Sequence, residues 1–430
     1  MPFWDKNIET VKEDRLEKLQ LKRLKNIVRY CYKRVPFYRK KFDDLNLRVD
    51  DIKSLDDIKK IPFTTKNDLR NNYPFNMLAV PFSKIVRVHA SSGTTGKPTV
   101  VAYTRNDIEI WTDLMARELY MVGVTRNDTI QIIYNYAFFT GGFGFTQGAE
   151  RIGAAVIPAG VGNTKKQIQV MSDFGVTAFT STPSYALHVA EIMEEIDINK
   201  NDLNLRIGIF GAEPWSESIR RRIENSFDID AYDNYGLSEI IGPGVCIECE
   251  EKNGMHIWHD HFLPEIIDKE GNESDKGELI LTTLTKEGMP LLRYKTGDIT
   301  SFIEGRCSCG RTHRRISKIK GRVDDMLIIK GVNVFPSQIE NIIMKFPEIG
   351  DNYQIIIGRK HQIDTLSLRI EVTPEIFTGS DIKLRELKEK IEEELKSGLD
   401  VGVKVELVEP MSIERCIGKA KRVLDLREKL

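Results

Sequence analysis

Between about Ile85 and Tyr232, short β-rich runs alternate with helical stretches, and this alternation constrains the fold more than any other feature of the 430-residue sequence. The β-rich runs are Ile85–His89, Ile130–Tyr134, Ala154–Pro158, Ala178–Ser181 and Arg206–Phe210. Helical patterning covers Asn106–Val122, Lys165–Asp173, Ser184–Ile196 and Ser216–Ser226. Strands that take turns with helices in this way predict parallel βαβ units.

From Met255 to Glu304 the pattern changes to strands and turns. Beyond Asp325 it offers strands at Tyr353–Ile357, Leu366–Val372 and Lys404–Val408, with a helix at Ile382–Leu395. The expected fold is therefore α/β. A large N-terminal domain (residues 1–323) combines βαβ units with a β-rich part, and a small α+β domain (324–430) is joined near Gly321–Asp325. Ahead of both, Ile8–Cys31 carries apolar residues at helical spacing among many charges, which describes an amphipathic surface helix.

Charge narrows the functional classes. Lys and Arg total 63 against 64 Asp and Glu, so no basic field favours nucleic acid or an anionic membrane. No apolar run approaches the roughly 20 residues needed to cross a bilayer. The opening segment lacks the apolar core of a signal peptide, and six cysteines do not make a disulfide scaffold in a chain this long. The expectation is a cytoplasmic protein.

The stretch Ala90-Ser91-Ser92-Gly93-Thr94-Thr95-Gly96-Lys97-Pro98-Thr99 directly follows a predicted strand. Its glycines let backbone approach an anion, its hydroxyls donate hydrogen bonds, and Lys97 supplies charge, so a nucleotide phosphate fits it. It is not a Walker A loop, which needs four residues between its glycines and a Ser or Thr after the lysine. Gly142-Phe143-Gly144 with Gly148 is a poor dinucleotide fingerprint and reads as close backbone packing beside a pocket.

Further short motifs follow in order: Phe210-Gly211-Ala212-Glu213-Pro214, Asp233-Asn234-Tyr235-Gly236-Leu237-Ser238-Glu239, Tyr294-Lys-Thr-Gly-Asp298, Gly321-Arg322-Val-Asp324 and Gly418-Lys419. With the phosphate loop they resemble the adenylate-forming superfamily of acyl-CoA synthetases, luciferases and adenylation domains. The runs GRVDDMLIIKGVNVFPSQIE and HIWHDHFLPEIID are similar to those of phenylacetate–CoA ligases. The resemblance implies ATP-dependent activation of an aryl carboxylic acid to its acyl adenylate, with pyrophosphate released, then transfer to coenzyme A.

The same resemblance assigns roles. Ser91 to Lys97 cradle the triphosphate, and the Glu239 carboxylate, a hard oxygen ligand, suits Mg²⁺. Ser238 faces the α-phosphate. Gly211 to Pro214 line the adenine pocket and Tyr235 stacks on the base, within the nucleotide-binding stretch Asp233 to Gly236. Asp298 offers two acceptor oxygens to the ribose hydroxyls, and Arg322 supports the ribose or phosphate side. Lys419 brings positive charge to the developing anion of the transition state. Its position on the small domain implies motion about a hinge at Asp324.

Tyr134-Asn-Tyr136-Ala-Phe138-Phe139-Thr-Gly-Gly142 is aromatic and glycine-rich. By resemblance it borders the acid, with Tyr134, Tyr136 and Phe139 as pocket residues and Ile240 at the far wall. An aromatic pocket with few charges favours a flat hydrophobic acid.

Cys246 and Cys249 precede His256, and Cys307-Ser-Cys309-Gly310 follows about fifty residues later. Paired cysteines of this kind suit tetrahedral Zn²⁺, but His259, His261 and His313 lie near too, and one ion takes only four ligands. The resemblance selects Cys249, His256, Cys307 and Cys309 as a structural site, with Cys246 as the substitute. It also implies a homodimer. Two other readings stand beside the ligase: an adenylyltransferase that attaches AMP to a deazaflavin cofactor, and a non-catalytic zinc-stapled binding module.

Overall fold

Five strands make the parallel centre of a 12-stranded sheet, in the order Asp230–Leu237, Ile207–Gly211, Ala178–Ser181, Thr129–Ile132 and Ala155–Ile157. The computed structural model describes residues 2–90, 98–329, 332–360, 363–377, 381–399, 401–415 and 422–427. Parallel strands need helices on both faces, and side-chain alternation serves both. Ala178 and Ile209 join Trp111, Leu114, Met115 and Phe145 in one core. Their neighbours Phe179 and Phe210 join Ile168, Tyr185, Ile219 and Phe227 in the other.

After Leu237 the chain reverses, and Gly242–Glu248 pairs antiparallel with the last parallel strand. The reversal is tight enough that a Cβ on Gly236 would lie 2.0 Å from the Gly242 carbonyl oxygen. Met255–Ile257, Arg315–Ile316, Tyr294–Ile303, Lys276–Thr283 and Phe262–Ile267 extend this side of the sheet.

A separate four-stranded sheet, in the order Val403–Val408, Ile363–Val372, Ile349–Lys360 and Val423–Asp425, forms the C-terminal α+β domain. Helices Pro336–Ile343 and Asp381–Leu399 pack with it, burying Ile339, Ile343, Leu387, Ile391 and Leu395.

Two expectations change. Ile85–Ala90 does not join the parallel sheet; it pairs antiparallel with Val100–Thr104. The connector 91–99 is too short for a parallel crossover, which takes about a dozen residues. The N-terminal helix is divided into Lys6–Glu9 and Glu13–Arg34. The first piece is capped by Asp5 and ends in Glu9, whose carboxylate pairs with Arg311 at 2.7 Å, both side chains fully buried. The longer piece buries Leu16, Leu24, Ile27, Val28 and Cys31 along one face, the helical period read from the sequence. Among the described residues, no helix is long and apolar enough to cross a membrane.

Candidate active site

Two cavities open at the C-terminal ends of the parallel strands, where open α/β sheets place their ligands. They share a wall made of Ala212, Asn234, Gly236 and Leu237. The first is also lined by Glu213, Pro214, Trp215, Asp233, Tyr235, Asp298, Lys318 and Arg322. The strands Ile207–Gly211 and Asp230–Leu237 deliver two of the sequence motifs side by side, paired through Gly211 and Asn234. A Cβ on Gly211 would lie 2.2 Å from the Asn234 carbonyl oxygen, so the approach needs glycine. Ala212 then turns with φ of +70°, a conformation a non-glycine residue adopts at a cost and one that concentrates at functional sites. Glu213 accepts a hydrogen bond from the Ser184 backbone N–H at 2.8 Å and so caps the helix Pro183–Glu195.

Charge in this cavity is held in a chain. The Tyr235 hydroxyl donates to Asp298 Oδ2 at 2.7 Å, and Arg322 donates to Asp298 Oδ1 at 2.8 Å. Arg322 also donates to Asp324 Oδ1 at 2.8 Å. Burial raises the Asp298 pKa, with Arg322 and the Tyr235 hydroxyl opposing. For Arg322, burial lowers the pKa but the Asp298 and Asp324 charges raise it by more, so the guanidinium stays charged. The chain of charges reaches Asp324, just past the strand Gly321–Arg322 that pairs with Tyr294–Ile303.

The second cavity, about 430 Å³, is aromatic and aliphatic, with Tyr134, Phe139, Phe145, Val161 and Tyr185 among its lining residues. Tyr134 stacks on Phe145 with centroids 5.4 Å apart and rings within 8° of parallel, and its hydroxyl donates to the Ser181 carbonyl at 2.5 Å. Phe139 stands at the rim, 40 % exposed. Tyr136 and Ile240 do not line this cavity. The strand ends at Ile132, so period-two alternation no longer puts residues 134 and 136 on one side. Tyr136 instead lies against Gly142 and shares a hydrogen bond with Thr146 Oγ1 at 2.8 Å. Ile240 is turned into the core by the bend after Leu237, whose carbonyl accepts from the Ile240 N–H at 3.1 Å.

That bend carries Ser238 and Glu239. Ser238 Oγ lies 3.2 Å from Thr140 Oγ1 and lines the acid-side cavity. Lys286 fixes the bend from beneath, donating to the carbonyls of Glu239 at 3.1 Å and Ile240 at 2.5 Å. Burial lowers its pKa to about 8. The Tyr103 hydroxyl adds a bond to the Ile241 carbonyl at 3.0 Å. Lys286, Tyr103, Trp215, Lys318 and the distant Val161 and Tyr185 were not foreseen in the sequence; only Trp215, beside Pro214, carried a local signal.

Away from the cavities, Cys249, His256, Cys307 and Cys309 converge, their ligand atoms all within 4.8 Å of one another. Cys249 Sγ is 3.6 Å from Cys307 Sγ, and Cys309 Sγ is 3.3 Å from His256 Nε2. Tetrahedral Zn²⁺, with bonds of about 2.3 Å to sulfur and 2.0–2.1 Å to nitrogen, needs separations of this size. His256 donates from Nδ1 to the His313 carbonyl at 2.9 Å, which leaves Nε2 free to ligate. Cys246 lies outside the cluster. His259 and His261 do as well: His259 donates its backbone N–H to His313 Nδ1, and His261 pairs with Thr285 and Asp260. Ser91, Ser92, Gly93, Thr94, Thr95, Gly96, Lys97 and Lys419 lie outside the described residues.

Residues 54–283 match the family described as AMP-binding enzyme, and residues 331–427 match its C-terminal domain. The phenylacetate-coenzyme A ligase of Aromatoleum evansii is 48 % identical over 98 % of this chain and 97 % of its own length. That of Escherichia coli is 46 % identical, again over 98 % of this chain and 97 % of its own. Among solved structures, 2-hydroxyisobutyryl-CoA ligase in the postadenylation state with 2-HIB-AMP superposes with a TM-score of 0.94 at 30 % identity, covering 99 % of this chain and 93 % of that one. The same ligase in the thioesterification state, with 2-HIB-AMP and CoA, covers the same shares at 31 % identity with a TM-score of 0.73. The chain belongs to the AMP-binding enzymes, and within them to the phenylacetate-coenzyme A ligase family of AMP-forming acid–thiol ligases.

Proposed function

We propose that this chain activates a small aromatic carboxylic acid, phenylacetate or a close analogue, with ATP and passes the acyl group to coenzyme A. In the first step a carboxylate oxygen attacks the α-phosphorus and the bond to pyrophosphate breaks, leaving acyl-AMP. In the second the thiol sulfur attacks the acyl carbon, the bond to AMP breaks, and the thiol proton passes to solvent. The observation that carries this reading is the wall shared by the two cavities. A mixed anhydride of an acid and AMP needs an aromatic chamber and a nucleotide chamber that meet at one point, and Ala212, Asn234, Gly236 and Leu237 border both.

The roles follow from position. Tyr235 and Ala212 to Pro214, which line the first cavity, would border the adenine together with Gly211 behind them, and Asp298, held between Tyr235 and Arg322, would face the ribose. Glu239, 8 % exposed on its pinned bend, would hold Mg²⁺ through oxygen, with Ser238 next to the α-phosphate. Ser91 to Lys97 would cradle the triphosphate and Lys419 the transition-state charge. Asp324, at the boundary between residues 1–323 and 324–430, would be the hinge. Tyr134, Phe139 and Phe145 would flank the aryl ring. Zn²⁺ at Cys249, His256, Cys307 and Cys309 would staple two distant segments and take no part in the chemistry.

Pyrophosphate exchange across a panel of aryl acids tests the reading, followed by mass analysis of products with and without coenzyme A. Acid-dependent exchange and an aryl thioester are expected; exchange with none of the acids rejects it. Lys419→Ala should lower exchange by about 100-fold while ATP still binds, as loss of one transition-state charge contact does.

A further inference from the structure

The helix Pro183–Glu195 of the large domain presents Glu191 to the C-terminal domain. Arg415 meets it there, donating from Nη2 to Glu191 Oε1 at 3.2 Å and from Nε to Oε2 at 3.3 Å. The same guanidinium is held within its own domain by both oxygens of Glu371, at 2.7 and 2.9 Å. Asn352 adds an amide bond to Glu191 Oε1 at 3.0 Å. Nearby, Arg222 of the large domain pairs with Asp351 of the small one. Four of the charged side chains are largely withdrawn from water: Arg415 is 15 % exposed, Glu191 27 %, Arg222 25 % and Asp351 20 %. Burial raises the Glu191 pKa, but His188 and Arg415 lower it by more, so the carboxylate remains charged.

Two facts give these contacts a direction. Arg415 stands four residues before Lys419 in the sequence, so the contact lies close along the chain to the lysine proposed for acid activation. A TM-score of 0.94 over 99 % of the chain requires both domains to superpose at once, and it is reached with the postadenylation state of the solved ligase. With the thioesterification state of the same ligase the score is 0.73. The contacts of Glu191, Arg415, Arg222 and Asp351 therefore belong to a domain arrangement like that of the solved ligase in its postadenylation state and unlike that of its thioesterification state.

We infer that Glu191 and Arg415, seconded by Arg222 and Asp351, form an interdomain clasp that positions the C-terminal domain for acid activation and must open before thioester formation. The inference rests on the two-step reading above. These are positioning residues, because none of them lines either cavity. The clasp biases an equilibrium between two domain arrangements, and its loss shifts that equilibrium only by its own differential contribution.

The test separates the half-reactions in the full-length protein with phenylacetate as the acid. Glu191→Gln should slow pyrophosphate exchange by about tenfold, the effect of losing one charge-assisted contact. Thioester formation from chemically prepared phenylacetyl adenylate and coenzyme A should be unchanged or faster, which also shows that the variant is folded. Arg222→Glu alone should slow exchange, and adding Asp351→Arg should restore it. Equal slowing of both half-reactions, or of neither, by Glu191→Gln overturns the clasp, and no recovery in the double variant removes the second pair from it. If the wild type itself exchanges no pyrophosphate, the functional reading fails instead.

Discussion

The two cavities are built on different principles although they share a wall. The cavity proposed for the nucleotide is polar and tied down: Asp298 is clamped between Tyr235 and Arg322, and Arg322 is shared with Asp324. The cavity proposed for the acid is aromatic and aliphatic, held by ring stacking and a few hydroxyl bonds, with Phe139 open to solvent at its rim. A fixed set of charge-assisted hydrogen bonds recognises one ligand geometry. An apolar chamber selects by shape and size, discriminating about 1–3 kcal/mol per methylene. The family is that of AMP-binding enzymes, so a cavity that takes the nucleotide can be rigid. The acid differs among relatives, and the half that meets it is the one built from replaceable contacts.

Asp298→Asn is the strongest way to break this contrast. Removing a buried charge leaves Arg322 to Asp324 alone and weakens the Tyr235 bond. Breaking a buried pair costs about 3 kcal/mol, so kcat/KM for ATP should fall by roughly 100-fold. KM for the acid should stay within a factor of about two, since the two cavities meet only at four residues. Steady-state kinetics with each substrate varied in turn decides the matter. An equal rise in both KM values would show that the halves are not separable.

Phe139→Ala probes the other half with a smaller expected effect. Losing a partly exposed ring contact with the acid should raise its KM by about fivefold, with KM for ATP unchanged. The panel order should also change, the larger aryl acids gaining relative to phenylacetate. A variant that keeps both the KM and the order would place Phe139 outside the acid's reach.

The same contrast explains what the sequence could disclose. The cavity proposed for the nucleotide was legible because each strand-end loop brings consecutive residues to its wall, as Ala212 to Pro214 and Asp233 to Gly236 do. Short contiguous motifs survive in one dimension. In the cavity proposed for the acid, Tyr134 and Phe139 were readable from one aromatic run, but Phe145, Val161 and Tyr185 come from separate elements and no local pattern links them. Tyr136 and Ile240 were expected there and lie elsewhere because a bend, not a strand, sets their direction. Lys286 was unreadable for a simpler reason: a single lysine whose function is to satisfy two backbone carbonyls leaves no periodicity. The parallel centre was legible from alternation, whereas the hairpin at Ile85–Ala90 needed the length of its connector to be weighed. The cysteines announced themselves by spacing. Cys246 is set apart from Cys249 because it sits within the strand Gly242–Glu248, paired with Ile257, whereas Cys249 lies just past the strand's end.

The smallest expected effect concerns the shared wall itself. Asn234 borders both cavities, and its amide donates to Glu118 Oε2 at 2.6 Å from the core side. Trp258 Nε1 donates to the other oxygen at 3.2 Å. Burial pushes the Glu118 pKa up to about 8, and these two hydrogen bonds lower it only partly. The folded state thus keeps a proton that the unfolded chain releases near pH 4.5. Where the folded state binds more protons, stability falls as pH rises, so the wild type should lose stability from about pH 4.5 to about pH 8 and level off above. Glu118→Gln removes that titration. Relative to the wild type, its Tm should rise by roughly 5 °C between pH 5 and pH 8.5, read from thermal melts at several pH values. Parallel Tm curves would show that Glu118 does not carry the proton. Because Asn234 faces both chambers, any change in KM should be small and should move ATP and acid together, unlike Asp298→Asn and Phe139→Ala, which move one and spare the other.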